Sequence, residues 1–268
     1  FDDELAYFGK FAQWVLDTVL VVPSQLVLVR DMDSFRYATL RFLLQEKTLS
    51  WISVWNPVFA ILFLDSLQHY FDNLVEDIRM GSLSVNLGLK EDIEKSISSR
   101  LKKDPKRARE LQTLRSAWGG KSFTDQDNNG RTFYEVLWPQ LRLISCWMHA
   151  GSKNDVRKLR VCFPNVVFQP KGLIATEAFV SFPIKDEASA LSITSHFFEF
   201  EEVDSNRRGK IKLAHELEVS GQYGIIVTTS GGLYRYRLND IIEVLGFIGQ
   251  CPLIRFIGKQ DIVVDTRG

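Results

Sequence analysis

The sequence predicts an α/β chain in which helices flank β-sheets, with helix concentrated in residues 1 to about 140 and an antiparallel, barrel-like sheet over 141–258. Three observations carry that expectation. Apolar positions recur at helical spacing as far as about residue 118. From Leu141 they give way to short apolar runs separated by turn residues. Ser230-Gly231-Gly232 stands between two such runs as a tight-turn tripeptide, which predicts an antiparallel hairpin from Tyr223 to Arg237.

The elements follow in chain order. Trp51 to Trp55 is short, β-branched and aromatic, and reads as a buried strand. Asn56-Pro57 then supplies an N-cap and a first-turn proline ahead of Val58, Phe59, Ile61, Leu62 and Leu67, so a buried helix should start there. Between Lys90 and Lys103 one stripe of Ile93, Ile97 and Leu101 has acids in its first turn and Arg100, Lys102 and Lys103 in its last, which suits the helix dipole. Asp104-Pro105 opens another helix, and Gly119-Gly120 closes it. The strand-like runs are Leu141 to Ser145, Val166 to Gln169, Ala178 to Phe182, His196 to Phe200, Tyr223 to Thr229, Leu233 to Arg237 and Ile241 to Phe247.

With 268 residues the chain can bury a large core as one domain or as two subdomains. Its 33 basic and 33 acidic side chains cancel and are interspersed, so no global field recruits a nucleic acid. The greasiest stretches, Trp14 to Arg30 and Trp51 to Leu67, contain Asp17 and Pro23 or Asn56-Pro57 and Asp65, and fall short of the roughly 20 uninterrupted apolar residues of a membrane helix. Cys146, Cys162 and Cys251 are odd in number and far apart, which suits free buried thiols in a cytoplasmic protein. The start at Phe1 and the stop at Gly268, just after a strand-like run, read as a chain incomplete at both ends.

Three segments could carry chemistry. In Gln169-Pro170-Lys171-Gly172-Leu173-Ile174-Ala175-Thr176-Glu177 a strand meets a proline-glycine bend and then a hydroxyl-carboxylate pair at the head of another strand. A threonine hydroxyl can bond a phosphate oxygen and a neighbouring carboxylate can hold a hard cation, although an ordinary turn is the commoner meaning of such a stretch. Leu233 to Asp240 alternates aromatic and basic residues, placing Arg235 and Arg237 on one face and the tyrosines on the other, and ends in Asn239-Asp240, a pair that readily bends a strand. A carboxylate fixed there could accept hydrogen bonds from vicinal ribose hydroxyls; cross-strand cation and aromatic packing explains the alternation as well. Phe256 to Asp261 leaves a strand through Gly258 into charged residues, as a hinge or a plain loop would.

Other signals are weaker. Asp125, Asp127, Asn129 and Gly130 match half of a calcium loop, but its twelfth position is Val136 and the nearest acid is Glu135. The basic run Lys102 to Arg109 straddles a helix break, and the four histidines lack metal-ligand spacing.

Together the three segments, in this order, resemble the auxin-responsive GH-three family of acyl-acid amido synthetases, a branch of the adenylate-forming superfamily. The likeness also covers Ile52 to Pro57, Val75 to Gly81, Leu137 to Leu141, Ile144 to Trp147 and Phe163-Pro164. The resemblance implies that residues 1–258 are part of the large adenylation domain and that 259–268, with Lys259 and Asp261, lead as a hinge to a C-terminal lid outside this chain. It implies ATP and Mg2+ as cofactors, with Gly172, Leu173, Ala175, Thr176, Phe256 and Lys259 binding the nucleotide, Thr176 and Glu177 as the catalytic pair at the α-phosphate and near magnesium, and Asp240 on the ribose. Leu173 stands where tyrosine often covers adenine, leaving Phe256 as an alternative wall, and Asn239 stands where glycine is expected but tolerates left-handed dihedrals. The phosphate loop that family members carry upstream is not in these residues.

The implied reaction joins a small carboxylic acid to an amine or amino acid through an acyl-adenylate. Trp55, Phe59 and Trp147 are the candidates for the acyl pocket, with core packing as their other reading. A thioester ligase acting on coenzyme A or a carrier protein, and a non-catalytic ligand-binding remnant, are the rival readings.

Overall fold

A computed structural model describes residues 19–148, 150–185, 188–203 and 209–260. The chain divides into two compact units, and each is built from three stretches of sequence. The first comprises Phe1–Ile52, Val58–Leu143 and Lys158–Val167, and the second Ser53–Pro57, Ile144–Arg157 and Phe168–Gly268.

The first unit is helical. Helix α1 (Met32–Gln45) starts where the Asp31 side chain accepts a hydrogen bond from the Ser34 N–H at 2.8 Å, a standard N-cap. Helix α2 (Pro57–Met80) has proline as its first residue, as expected. Its buried residues Leu64, Leu67, Phe71, Leu74, Val75 and Ile78 follow a three-four spacing, while Val58, Phe59 and Leu62 are exposed. Helix α3 (Glu91–Ser99) is shorter than the charge pattern suggested: Arg100 is already its C-cap, so Lys102 and Lys103 lie beyond its last turn. Helix α4 (Pro105–Trp118) is capped by Asp104, which accepts from the Arg107 N–H at 2.8 Å, and ends at Gly119, whose φ of 64° suits glycine. Helix α5 (Phe133–Leu137) follows, and α6 (Lys153–Cys162) contributes its residues from Lys158 onward.

Aromatic rings fill the core of this unit. Phe133 lies 4.3 Å from Phe123, 5.3 Å from Trp118 and 5.7 Å from Phe71, centroid to centroid. A second anchor is polar. Arg41, fully buried, donates to the backbone oxygens of Asp77, Ser82 and Lys102, and the Asp77 carboxylate accepts from Tyr37, Ser82 and Ser84. Burial pushes the Asp77 carboxyl up, but the hydrogen bonds from Ser84, Ser82 and Tyr37 outweigh it and hold it below the ordinary value. The network ties α1 to the end of α2 and to the loops that follow.

Strands β1 (Trp51–Ser53), β2 (Leu143–Cys146) and β3 (Val167–Pro170) form a small sheet in that order. Its backbone bonds advance the same way on neighbouring strands, from Arg142–Ser50 to Trp147–Trp55 and from Val167–Arg142 to Lys171–Cys146, so the strands run parallel. The Trp51 segment is not a buried strand: Trp51 and Trp55 are 56% and 50% exposed.

The second unit carries a seven-stranded antiparallel sheet, ordered β4-β5-β10-β9-β8-β6-β7. The strands are β4 (Ser181–Lys185), β5 (Ala188–Leu191), β6 (Phe197–Glu202), β7 (Ile211–Leu213), β8 (Gln222–Thr228), β9 (Tyr236–Ile248) and β10 (Cys251–Lys259). One core cluster includes Val180, Leu191, Phe200, Ile225, Val227, Ile242, Val244 and Ile254. The β8–β9 hairpin forms as predicted, but Leu233 to Arg235 belongs to its connection rather than to a strand. β9 then continues unbroken through Asn239-Asp240, where two strands had been expected.

Among the described residues no helix is long and apolar enough to cross a membrane, and no group of three or more His, Cys, Asp or Glu is placed to hold a metal. The calcium-like loop uses Asp127 to accept from the Asn129 and Arg131 backbones and to pair with the Arg131 side chain at 3.0 Å. Glu135 closes a capping box with Thr132 and also holds Asn165. All three cysteines are free thiols; Cys146 is buried, and burial pushes the Cys162 thiol up to about 11.

Candidate functional site

Thr176 and Glu177 sit at the tip of a tight hairpin rather than at the head of a strand. Ile174 bridges Phe179, and the Ala175 N–H donates to the Ala178 carbonyl at 3.0 Å, leaving Thr176 and Glu177 between them. The stem is pinned to β4. The Leu173 N–H donates to Ser181 Oγ at 2.9 Å, and the Val180 and Ser181 N–H groups donate to the Leu173 carbonyl. Gly172 is required by close approach, since a Cβ there would lie 1.9 Å from the Ser181 carbonyl oxygen.

The tip faces β9. Thr176 Oγ1 donates to Glu177 Oε2 at 2.8 Å, and the Tyr236 hydroxyl donates to Glu177 Oε1 at 3.3 Å. The burial pattern of β9 alternates from Leu238 through Asp240 to Ile242, so Asp240 points inward while Tyr236, at the start of the strand, is exposed. Asn239 adopts φ 59°, the left-handed conformation that its side chain tolerates, inside the continuous strand. Asp240 pairs in register with Lys259 of β10, whose Nζ lies 3.9 Å from Asp240 Oδ1, and the Gln260 N–H donates to the Asn239 carbonyl at 2.8 Å.

The two carboxylates differ in character. The Thr176 hydrogen bond, helped by the backbone, Tyr236 and Lys259, holds Glu177 below the ordinary carboxylate value against a small opposing effect of burial. Asp240 is 5% exposed, and burial raises its pKa; Lys259 pulls it down and the nearby Glu177 charge pushes it up. Glu177 is therefore a ready anion at the mouth of the site, and Asp240 is a recessed acceptor behind it.

The arginines take the other side. Arg235 pairs with Glu199 and Arg237 with Glu201, each at 2.9 Å, across β8 onto β6. With Gly209, Ile211 and Ile226 they line a cavity of about 330 Å³ on the face of β9 opposite Asp240. Both arginines are thus held by cross-strand ion pairs with glutamates rather than by the cation and aromatic packing expected of the alternation.

Of the other expected residues, Leu173 is 7% exposed and belongs to the core cluster, so its side chain packs inward rather than forming a nucleotide wall. Gly172 is likewise buried against β4, and Ala175 packs beside the same core. Phe256 packs against that core and lies 5.4 Å from Trp147, edge to face; Trp147 stacks on Trp55 at 6.1 Å. Phe59 belongs to the other unit and is 49% exposed on the first turn of α2. Asp261 lies outside the described residues. Sequence reasoning missed Tyr236 as a partner of Glu177; the signal was present in its two- and four-residue spacing from Leu238 and Asp240.

The GH3 family N-terminal domain matches residues 5–168 and the GH3 family central domain matches residues 189–259. The Thr176–Glu177 hairpin falls between the two matched ranges. An Arabidopsis thaliana protein named indole-3-acetic acid-amido synthetase GH3.6 is 27% identical over 268 aligned residues, covering 90% of this chain and 42% of that protein. The probable indole-3-acetic acid-amido synthetase GH3.11 of Oryza sativa subsp. japonica is 25% identical over 90% of the chain and 42% of its own length. The solved structure of the GH3.15 acyl acid amido synthetase superposes with a TM-score of 0.77 at 21% identity, covering 91% of this chain and 43% of that one, which shows the shared fold. The chain thus spans about two fifths of the length of these relatives. Because the N-terminal-domain match alone covers more than half of the sequence and the central-domain match follows it in order, the chain belongs to the GH3 family.

Proposed function

We propose that the protein to which this chain belongs is an ATP-dependent acyl-acid amido synthetase, which activates a small carboxylic acid as an acyl-adenylate and transfers the acyl group to an amine or amino acid. The observation that carries this reading is the convergence of Thr176, Glu177, Tyr236, Asp240 and Lys259 on one site of the second unit. Membership of a family whose named relatives are amido synthetases supports it.

The residues fit the roles. Asp240 has acceptor oxygens for two vicinal ribose hydroxyls, with the Lys259 ammonium beside it. The Thr176 hydroxyl can turn from Glu177 to a phosphate oxygen. Glu177, an exposed-side oxygen donor held ionised, suits Mg2+, which typically takes one or two protein carboxylates and completes its shell with phosphates and water. When bound there the ion would neutralise phosphate charge. Catalysis is then mainly positioning: the hairpin tip fixes the phosphate end, β9 fixes the ribose, and the acid's carboxylate attacks the α-phosphorus with pyrophosphate leaving. The amine next attacks the acyl carbon, and AMP leaves. Three free thiols suit a cytoplasmic location.

The test is carboxylate-dependent pyrophosphate exchange by the full-length protein over a panel of acids, followed by product analysis with amino acids or coenzyme A. Exchange and amide product are expected, and neither should survive loss of the ribose contact. An Asp240→Ala variant with unchanged ATP affinity would refute the assignment of that residue.

A further inference from the structure

A second cationic group lies away from the Asp240–Lys259 pair. Lys171 follows the end of β3, and its backbone N–H is bonded to the Cys146 carbonyl at 3.1 Å, which fixes where the side chain starts. Its ammonium donates to Ser53 Oγ at 2.9 Å and lies 5.9 Å from the centroid of the Trp55 ring. Trp55 stacks on Trp147, and Trp147 meets Phe256 on β10, three residues before Lys259. All of these residues belong to the second unit.

Among the described residues no carboxylate pairs with Lys171. Unlike Lys47, Lys95, Lys212 and Lys259, which have acid partners within 4 Å, it meets only a hydroxyl and an aromatic ring. Lys171 is half-buried, and desolvation lowers its pKa with only a weak opposing influence from Cys146. A partly desolvated cation whose neighbours are a hydroxyl and an aromatic face lacks the anion that would best offset its lost hydration. Ser53 and Trp55 are exposed, so an anion can reach it from solvent. The row of rings beside it offers stacking to a planar group attached to that anion.

We propose that Lys171, with Ser53, anchors the carboxylate of a ring-bearing acyl substrate whose planar part lies along Trp55 and Trp147. The proposal rests on the amide-ligase reading for the identity of the acid as substrate, while its binding chemistry stands on this cluster. Lysine supplies the charge, the serine hydroxyl accepts from Lys171 through a lone pair and supplies its O–H as a second donor, and the indoles select planar over branched acids.

The experiment is calorimetric titration of the full-length protein with benzoate, phenylacetate and indole-3-acetate, each against its uncharged amide. The Lys171→Met and Lys171→Arg variants are titrated in parallel. Lys171→Met is expected to weaken the best-bound acid by about tenfold or more, the size of a lost charge-assisted hydrogen bond, and to leave the amide unchanged. Lys171→Arg keeps the charge and should recover most of the loss. Equal weakening of acid and amide would mean that Lys171 only supports the local strands, and would overturn the proposal. So would parent protein that binds none of the three acids more tightly than its amide. Unchanged acid binding with a raised KM for the amino acid would move the anchor to the acceptor's carboxylate and overturn the acyl assignment. Absence of pyrophosphate exchange in the parent protein would instead sink the ligase reading, and leaves the titration result standing.

Discussion

Asp240 is a residue whose place in the fold costs the protein stability. Burial raises its pKa, so the folded state binds the proton more tightly than the unfolded chain does. The stability linked to that proton is fully present below the unfolded value of about 3.9 and is lost as pH rises through the raised folded value. At neutral pH the carboxylate is thus a liability for folding, and Lys259, itself largely exposed at 3.9 Å, relieves it little. Asp240→Asn is expected to melt at or above the parent temperature at pH 7, with the difference closing as pH falls toward 4, while ATP affinity drops. Thermal melts across that range check the first part and nucleotide titration the second. A variant less stable at pH 7 and unchanged in ATP binding would show that the carboxylate serves the fold. Asp77 has the opposite sign: its hydrogen bonds favour the anion, so its contribution holds above about 3.9 and disappears as pH falls through its lowered folded value.

At the scale of elements, the hairpin that presents Thr176 and Glu177 depends on a position with no side chain. A Cβ on residue 172 would collide with backbone of β4, which cannot swing away as a side-chain tip can. Gly172→Ala is therefore expected to cost about 1–3 kcal/mol, the usual range for overpacking, and to weaken nucleotide binding by displacing the tip. Chemical denaturation and ATP titration together check it. Much of this was legible beforehand. Pro57 and Asp104-Pro105 marked helix starts, Gly119 marked a stop, and Ser230 to Gly232 marked the hairpin, because each acts through local backbone chemistry. The burial of Leu173 and the exposure of Trp51 were not legible, since they depend on which distant strand arrives overhead. The continuity of β9 through Asn239 was also hidden: a left-handed residue signals a bend locally, the register with β8 shifts there, and pairing with β10 carries the strand onward.

At the scale of the molecule, contacts and sequence divide the chain differently. The second unit takes Ser53–Pro57 and Ile144–Arg157 from within the span that matches the family's N-terminal domain. Those stretches bring Trp55 and Trp147, and Trp147 packs against the sheet's core. Residues 169–268 expressed alone should therefore fail to give a cooperative thermal transition, whereas the 268-residue chain should give one. A sharp transition in the shorter piece, read by circular dichroism, would show that the sheet needs neither tryptophan. The same distribution explains why site residues separated by as many as 206 positions, Ser53 to Lys259, fall in one unit.

The hydrogen bond between Thr176 and Glu177 has a further consequence, for selectivity. In the free protein each group already satisfies the other, so a visitor gains at the hairpin tip only by replacing that bond with something stronger. On the proposed reading, adenosine would offer nothing there, and its ribose alone would have to hold it. A nucleoside triphosphate arriving with its cation would offer both halves of the exchange at once, an acceptor for the hydroxyl and a charge for the carboxylate. The closed pair would thereby act as a filter that penalises incomplete nucleotides, set at the threshold of one hydrogen bond.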